Sequence, residues 1–426
     1  MKIKKASKVT GIIHSPGDKS ISHRVALISA LSNGENIIEN FLISDDTLRT
    51  LACLEELGVD IELSEKLKIK GRGFKNFQKP NSTLYAGNSG TTIRLLSGIL
   101  AGQNFNSEIT GDDSLRRRPM MRIIKPLRMM VAKIEATGNG TAPLKIYAVE
   151  NLNSIEYELE IPSAQVKSCI IFAGLHAEGK TKIIEKIQTR DHTERLLGLK
   201  VSSENGKKII EVEPGIKIEN KYYLIPGDIS SSAFFIVAAS IIPNSYVVVK
   251  NVSLNPTRTG FIDVLRKMGA VIELENVREV ANEQLGDVIV KSGKEINLKN
   301  LTLSGDLIPS IIDEIPVLAI AGTVAEGVFE VRDAGDLRNK ESDRIKAIVS
   351  NLRNMGVDVE EYDDGFSFEG RKKLKGTLIQ TFNDHRIAMA FSIAGLIAEG
   401  ETVIDDPECV KISFPNFYEI LKNIQS

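Results

Sequence analysis

Tryptophan is missing from this chain, and aromatic residues make up only 5% of it. Proteins that bind single-stranded nucleic acid stack bases on aromatic rings, so that function class loses its usual platform. Positive charge is not in excess either. Lys and Arg number 54 against 56 Asp and Glu, a net charge of −2, where a nucleic-acid surface needs a basic balance. Cysteine is scarce. Cys53, Cys169 and Cys409 are isolated, with neither zinc-site spacing nor a disulfide framework, which fits a reducing, cytoplasmic setting. Long hydrophobic runs are lacking too. The most apolar stretches, around 233–242 and 387–398, are too short to span a bilayer. No apolar segment of a signal peptide follows the basic start Met1-Lys2-Ile3-Lys4-Lys5. What is present, 42% hydrophobic and 26% charged over 426 residues, is the composition of a globular protein with more than one domain.

One stretch organises the rest: Pro16-Gly17-Asp18-Lys19-Ser20-Ile21-Ser22-His23-Arg24, running into Val25–Leu31. Pro16 and Gly17 end an extended run. The hydroxyls of Ser20 and Ser22 stand where a helix start needs a cap. The exposed N–H groups of such a start suit an anion, and Lys19 and Arg24 add two full charges beside it. Pro226-Gly227-Asp228-Ile229-Ser230-Ser231-Ser232-Ala233-Phe234 repeats the pattern 210 residues later, with Ile229 for Lys19 and Phe234 for Arg24. Shared residues therefore read as architecture, and the differing ones as chemistry.

Six segments follow one plan, with a polar turn and then a small-residue apolar helix. They begin near Gly17, Gly87, Ser163, Gly227, Asp313 and Asn383. A β-like run, a charged loop and usually a second helix follow. Three second helices close alike, at Leu57-Gly58, Met268-Gly269 and Met355-Gly356, where Gly is a C-cap signal. The period, roughly 65–85 residues, exceeds that of ordinary solenoids. Helices apolar nearly all round belong inside, with sheets outside. The spacing predicts an α/β protein of two three-repeat domains, residues 14–225 and residues 1–13 plus 226–426. Met1–Ile13 is expected as a strand-like leader completing the second domain. A cleft between the halves is the expected ligand site.

The loops carry the charge. Gly87-Asn88-Ser89-Gly90-Thr91-Thr92-Ile93-Arg94 opens the second repeat; Gly90 allows close approach and Thr91 or Thr92 is a candidate cap. Arg116-Arg117-Arg118 precedes Pro119, and arginine suits bidentate carboxylate or phosphate contacts. Ser163-Ala164-Gln165 opens the third repeat. Its loop Arg190-Asp191-His192-Thr193-Glu194-Arg195 lacks the nucleophile elbow that a Ser/His/Asp hydrolase needs. In the second half stand Asp313-Glu314, Arg338–Arg344, Asn383-Asp384-His385-Arg386 and Lys411. Lys19, Arg24, Arg118, Arg190, Lys340, Arg344, Arg386 and Lys411 occupy equivalent ends of the repeats. Converged, they call for a strongly anionic ligand, since each phosphate brings about −1.5 to −2 charge. Asp313 and Glu341 among them are candidates for proton transfer.

Taken together, the motifs PGDKSISHR, GNSGTTIR, RRRP, SAQVKS, RDHTER, NPTR, IDEIP, NKESDR, NDHR and Lys411 resemble those of the 5-enolpyruvylshikimate-3-phosphate synthases, nearly end to end. GDKS, SAQVK, RDHTE and NPTR resemble the family's second class. The resemblance implies an enolpyruvyl transferase fold, an inside-out α/β barrel with three βαβαββ-type units per domain. It implies transfer of the enolpyruvyl group of phosphoenolpyruvate to the 5-hydroxyl of shikimate 3-phosphate with release of phosphate, without metal or organic cofactor. Carried over by position, Lys19, Ser20, Arg24, Ser163, Ala164, Gln165, Arg190, Asp313 and Lys340 would bind shikimate 3-phosphate. Lys19, Gly90, Arg118, Gln165, Arg344, Arg386 and Lys411 would bind phosphoenolpyruvate. Asp313 would take the hydroxyl proton, and Glu341, with Lys19 or Lys411 nearby, would protonate the methylene carbon. The expected protein is a cytoplasmic monomer with no nucleic-acid or membrane partner. Some glyphosate-tolerant members carry a bulkier residue where this chain keeps Gly90. Two rival readings stay open. UDP-N-acetylglucosamine enolpyruvyl transferases share the architecture, but their loop near Arg118 usually holds a reactive Cys, and Leu115–Pro119 has none. The other is a non-catalytic binder of phosphorylated metabolites, which would not need Asp313 and Glu341 beside the cations.

Overall fold

The computed structural model describes residues 1–425. The chain forms two units. The N unit comprises Gly17–Ile225 and the turn Val280–Glu283; the C unit comprises Met1–Pro16, Pro226–Glu279 and the chain from Gln284 onward. His14, expected at the head of the 14–225 stretch, lies with the C unit. Thr10–His14 pairs in parallel with the strand Tyr246–Ser253, and Ser15 Oγ lies 2.7 Å from Ser232 Oγ.

Each unit repeats one sheet three times: a parallel pair extended by antiparallel strands. In the N unit the strand orders are Tyr222–Leu224, Glu35–Glu39, Leu67–Lys70, Asp60–Leu63; then Leu84–Tyr85, Ser107–Thr110, Leu144–Tyr147, Lys133–Glu135; then Glu156–Glu158, Thr181–Glu185, Lys207–Val212, Lys200–Glu204. In the C unit, Thr10–His14, Tyr246–Ser253, Glu283–Lys291 and Val271–Val280 form the first sheet; Thr302–Leu303, Val328–Val331, Gly365–Glu369 and Val359–Tyr362 form the second. The last sheet has three strands, Leu378–Ile379, Glu401–Ile404 and Lys2–Lys4. The expected single leader strand is thus two strands, which complete two different sheets of one unit.

The six small-residue helices are Lys19–Leu31, Gly90–Ala101 and Ala164–Gly174 in the N unit, and Ile229–Ile241, Ile315–Val324 and His385–Gly395 in the C unit. They are core elements. All of Ile229–Ile241 is buried, as is Ile21–Leu31. The first and fourth helices keep the 210-residue offset. Such helices read as nearly all apolar because they have no solvent face to make polar. Packing is close: a Cβ on Gly98 would sit 2.2 Å from the Cys169 carbonyl oxygen, so those two helices meet backbone to backbone.

The caps differ from expectation. Asp18, not Ser20 or Ser22, accepts from Ile21 N at 2.9 Å, and Ser89, not Thr91 or Thr92, accepts from Thr92 N at 3.1 Å. Asp228, Ser163 and Asp384 cap their helices as well. A capping residue sits outside the helix, which here places it two residues before the earliest hydroxyl expected to cap, Ser20 and Thr91. Gly58, Gly269 and Gly356 end the second helices with φ of 82°, 109° and 92°, the left-handed conformation that glycine adopts freely.

Candidate active site

Both units gather charge at the N-terminal ends of their core helices. In the N unit, Lys19 opens its helix and pairs with Asp46, with a fifth of its side chain exposed. Arg24, one turn further, is buried. Its Nε donates to Thr193 Oγ1 (2.8 Å), Nη2 to Ser168 Oγ (3.0 Å) and Nη1 to the Ser20 carbonyl (2.9 Å). That fixes the Lys19–Ser20 turn against the loop after Arg190. Behind it lies a hydroxyl relay, His23 Nδ1–Thr50 Oγ1–Thr92 Oγ1 at 2.7 Å each. Burial pushes the His23 imidazole well below its usual range, with Lys19 and Arg24 pushing the same way.

Ser163 caps Ala164–Gly174, so Ala164 and Gln165 form the first turn. Gln165 Oε1 accepts from Arg94 Nη1 (2.6 Å), and its Nε2 donates to Thr91 Oγ1 (3.0 Å). Arg118 is buried and donates to Asn88, which in turn donates to Asp112 Oδ2 (2.8 Å). Gly90 lies between these groups. A Cβ there would stand 2.8 Å from Arg94 Nη1 and 3.2 Å from Arg118 Nη1. Arg190 is half-buried at the start of the 190–195 loop. Beneath it Lys167, wholly buried, is held by Glu185 (2.9 Å) and Glu194 (2.6 Å).

In the C unit Asp313 is ringed by three cations: Arg344 Nη1 at 3.2 Å, Lys340 Nζ at 3.8 Å and Arg386 Nη2 at 3.9 Å. Arg344 is the hub. It also binds Glu341 and the carboxylate of Asp384, with Nε 2.8 Å from Oδ2. Burial alone would lower the Arg344 pKa, but Asp384, Glu341 and Asp313 outweigh it and hold it raised. Asp384 is held low by the Arg344 charge despite its own burial. Arg386 Nη1 donates to the Asp313 carbonyl (3.0 Å). The structure therefore brings Asp313, Lys340, Glu341, Arg344 and Arg386 together. Lys411 is mostly exposed and pairs with Glu408 of its own turn.

Sequence reasoning assigned no role to Arg94 or Asp46, and gave Glu314 only a structural one, a carboxylate favouring the dipole of the helix it opens. Arg94 had a usable signal, since it follows Gly90 by four residues on one helix face. Among the described residues no three His, Cys, Asp or Glu side chains are grouped as metal ligands.

Comparison with known proteins agrees along the whole chain. The family model for EPSP synthase (3-phosphoshikimate 1-carboxyvinyltransferase) matches residues 3–421. The protein named 3-phosphoshikimate 1-carboxyvinyltransferase of Thermoanaerobacter sp. (strain X514) is 49% identical over 423 residues, 98% of each chain. Its namesake from Thermodesulfovibrio yellowstonii is 47% identical over 429 residues, 99% of each. A solved structure of EPSP synthase from Acinetobacter baumannii superposes with a TM-score of 0.87 at 42% identity, covering 100% of this chain and 98% of that one.

Proposed function

This chain belongs to the EPSP synthase family, and from that premise we propose how its charged clusters divide the work of the reaction. The activity is the 3-phosphoshikimate 1-carboxyvinyltransferase step of the shikimate pathway, on which aromatic amino acids depend. Its substrates are shikimate 3-phosphate and phosphoenolpyruvate.

In this reading Lys19, Ser20, Arg24, Ser163, Ala164, Gln165 and Arg190, with Asp313 and Lys340, hold shikimate 3-phosphate. Lys19, Gly90, Arg118, Gln165, Arg344, Arg386 and Lys411 hold phosphoenolpyruvate. Asp313 takes the proton of the 5-hydroxyl as its oxygen bonds to C2 of phosphoenolpyruvate. Glu341, with Lys19 or Lys411, delivers a proton to C3. Loss of a C3 proton and of phosphate from the resulting adduct then restores the double bond. The adduct carries two phosphates and a carboxylate, and fixed Arg and Lys groups suit it better than mobile water does.

The observation that carries this division is the ring of three cations around Asp313, at 3.2, 3.8 and 3.9 Å. A base must start ionised, and opposite charges within about 4–6 Å favour that form. Substrate anions that draw those cations to themselves leave the carboxylate free to take the proton. Asp313→Asn keeps the shape and removes the base. Its kcat for phosphate release should fall by about 10²–10⁴, with shikimate 3-phosphate still binding in calorimetry. A near-normal kcat would remove Asp313 from the role. The reading includes a cytoplasmic setting, which three buried free thiols fit, and a monomer; a dimer mass in sedimentation equilibrium would overturn the monomer.

A further inference from the structure

The second copy of the Pro-Gly-Asp motif has no cation at its helix start, yet it is not chemically silent. Arg258, from the loop after Tyr246–Ser253, lies over that start fully buried, 2% exposed. Its Nη2 donates to Ser230 Oγ at 2.7 Å and stands 3.4 Å from Asp228 Oδ1. Ser230 Oγ in turn donates to Glu314 Oε1. Glu314 is 1% exposed, and its Oε1 lies 3.7 Å from Arg386 Nη1, the same nitrogen that donates to the Asp313 carbonyl. The first copy is built the other way round. There the cation, Lys19, is on the helix and its acid, Asp46, stands in the first turn of the next helix, Asp45–Glu56. Ile229 replaces Lys19 because the positive charge of this repeat comes from Arg258 instead.

We propose that Glu314, held by Ser230, which Arg258 holds in turn, is a positioning residue for Arg386 in phosphoenolpyruvate binding. The inference rests on the assignment of Arg386 above. Arg386 has two acids to lean on, Asp313 and Glu314, and Asp313 must change its charge during the reaction. A guanidinium fixed only by Asp313 would move when that carboxylate takes a proton. Glu314 belongs to no step, and its burial keeps its carboxylate in one place. It accepts from Ser230, and the Arg258 charge lies behind it. The Ser230 hydroxyl, itself held by Arg258, thus fixes the carboxylate's direction toward Arg386.

Steady-state kinetics with both substrates varied tests this on the full-length enzyme. Glu314→Gln keeps an acceptor for Ser230 and removes the charge. The KM for phosphoenolpyruvate should rise about tenfold, the scale of one charged contact, with the KM for shikimate 3-phosphate within twofold of the parent. Arg386→Lys should raise the same KM, and Glu314→Gln should add little to it, since both act through one guanidinium. Ser230→Ala leaves every charge in place and loosens Glu314; it should give a smaller rise in the same constant, and it keeps the test open if Glu314→Gln folds poorly. Equal rises in both KM values, no change in either, or full additivity with Arg386→Lys would each overturn the role. Parent enzyme that releases no phosphate would instead overturn the reaction assigned above.

Discussion

Gly90 and Gly98 stand two turns apart on one helix, and an added methyl group should act differently at each. At Gly98 it meets the Cys169 carbonyl at 2.2 Å, so backbone must move. Gly98→Ala should lose ~1–3 kcal/mol, read as a lower urea midpoint. At Gly90 it meets only the far ends of Arg94 and Arg118. Gly90→Ala should keep the urea midpoint and raise the KM for phosphoenolpyruvate. A stable Gly98→Ala variant would mean that the helices are not in close contact. His176 offers a test by pH. It packs edge-on to Phe74 (5.5 Å between centroids), and burial, helped by Lys75, pushes its imidazole from 6.5 to about 4. Below pH 6.5 the unfolded chain takes a proton that the folded one refuses. Stability should therefore fall as pH drops from 6.5 toward 4, and His176→Gln should flatten part of that fall in urea titrations. His23, lowered in the same sense, accounts for part of what is left. Nothing in the sequence around His176 distinguishes it from an exposed histidine; burial alone does.

The helix Ala164–Gly174 shows what an element contributes beyond its residues. Its first turn carries Ser163, Ala164 and Gln165, and one step further in lies Lys167. Burial alone would pull the Lys167 ammonium down, but Glu194 and Glu185 outweigh it and leave it raised. Glu185 closes the strand Thr181–Glu185 and accepts from Thr189 N (3.2 Å) and its hydroxyl. Glu194 lies in the helix His192–Leu197. One ammonium thus ties both ends of the loop that holds Arg190. Lys167→Met leaves two carboxylates buried without their cation and should lose ~3–5 kcal/mol, and Glu194→Gln in the same chain should recover part of it. Urea unfolding of the parent and the two variants checks this; a Lys167→Met midpoint equal to the parent's would contradict it. At this scale the sequence was readable. Polar turns and small-residue runs marked all six core helices, and Gly58, Gly269 and Gly356 marked the ends of the second helices. The caps of the first two core helices were misplaced because hydroxyls inside the first turn of a helix resemble caps until backbone angles are known; Asp384, capping the last one, was legible.

The whole molecule is built twice, from helices buried behind repeated sheets. A ligand that binds only the folded form stabilises it by mass action. Shikimate 3-phosphate should therefore raise the thermal midpoint in proportion to the logarithm of its concentration. If the two substrates share one set of cations, each should also change the other's affinity, and by the same factor. Calorimetry of phosphoenolpyruvate with and without shikimate 3-phosphate reads this; equal affinities would break the link. By itself the sequence determined the duplication, the α/β class, the core helices and the family, because periodicity and motif order are properties of a linear string. Tertiary structure alone decided which charges meet. Arg344 reads as one cation among several until it is found clamped by Asp313, Glu341 and Asp384. Arg258 and Glu314, 56 positions apart, show no relation until Ser230 is found between them. Ion pairs depend on distances of a few ångströms, and sequence separation carries no record of those.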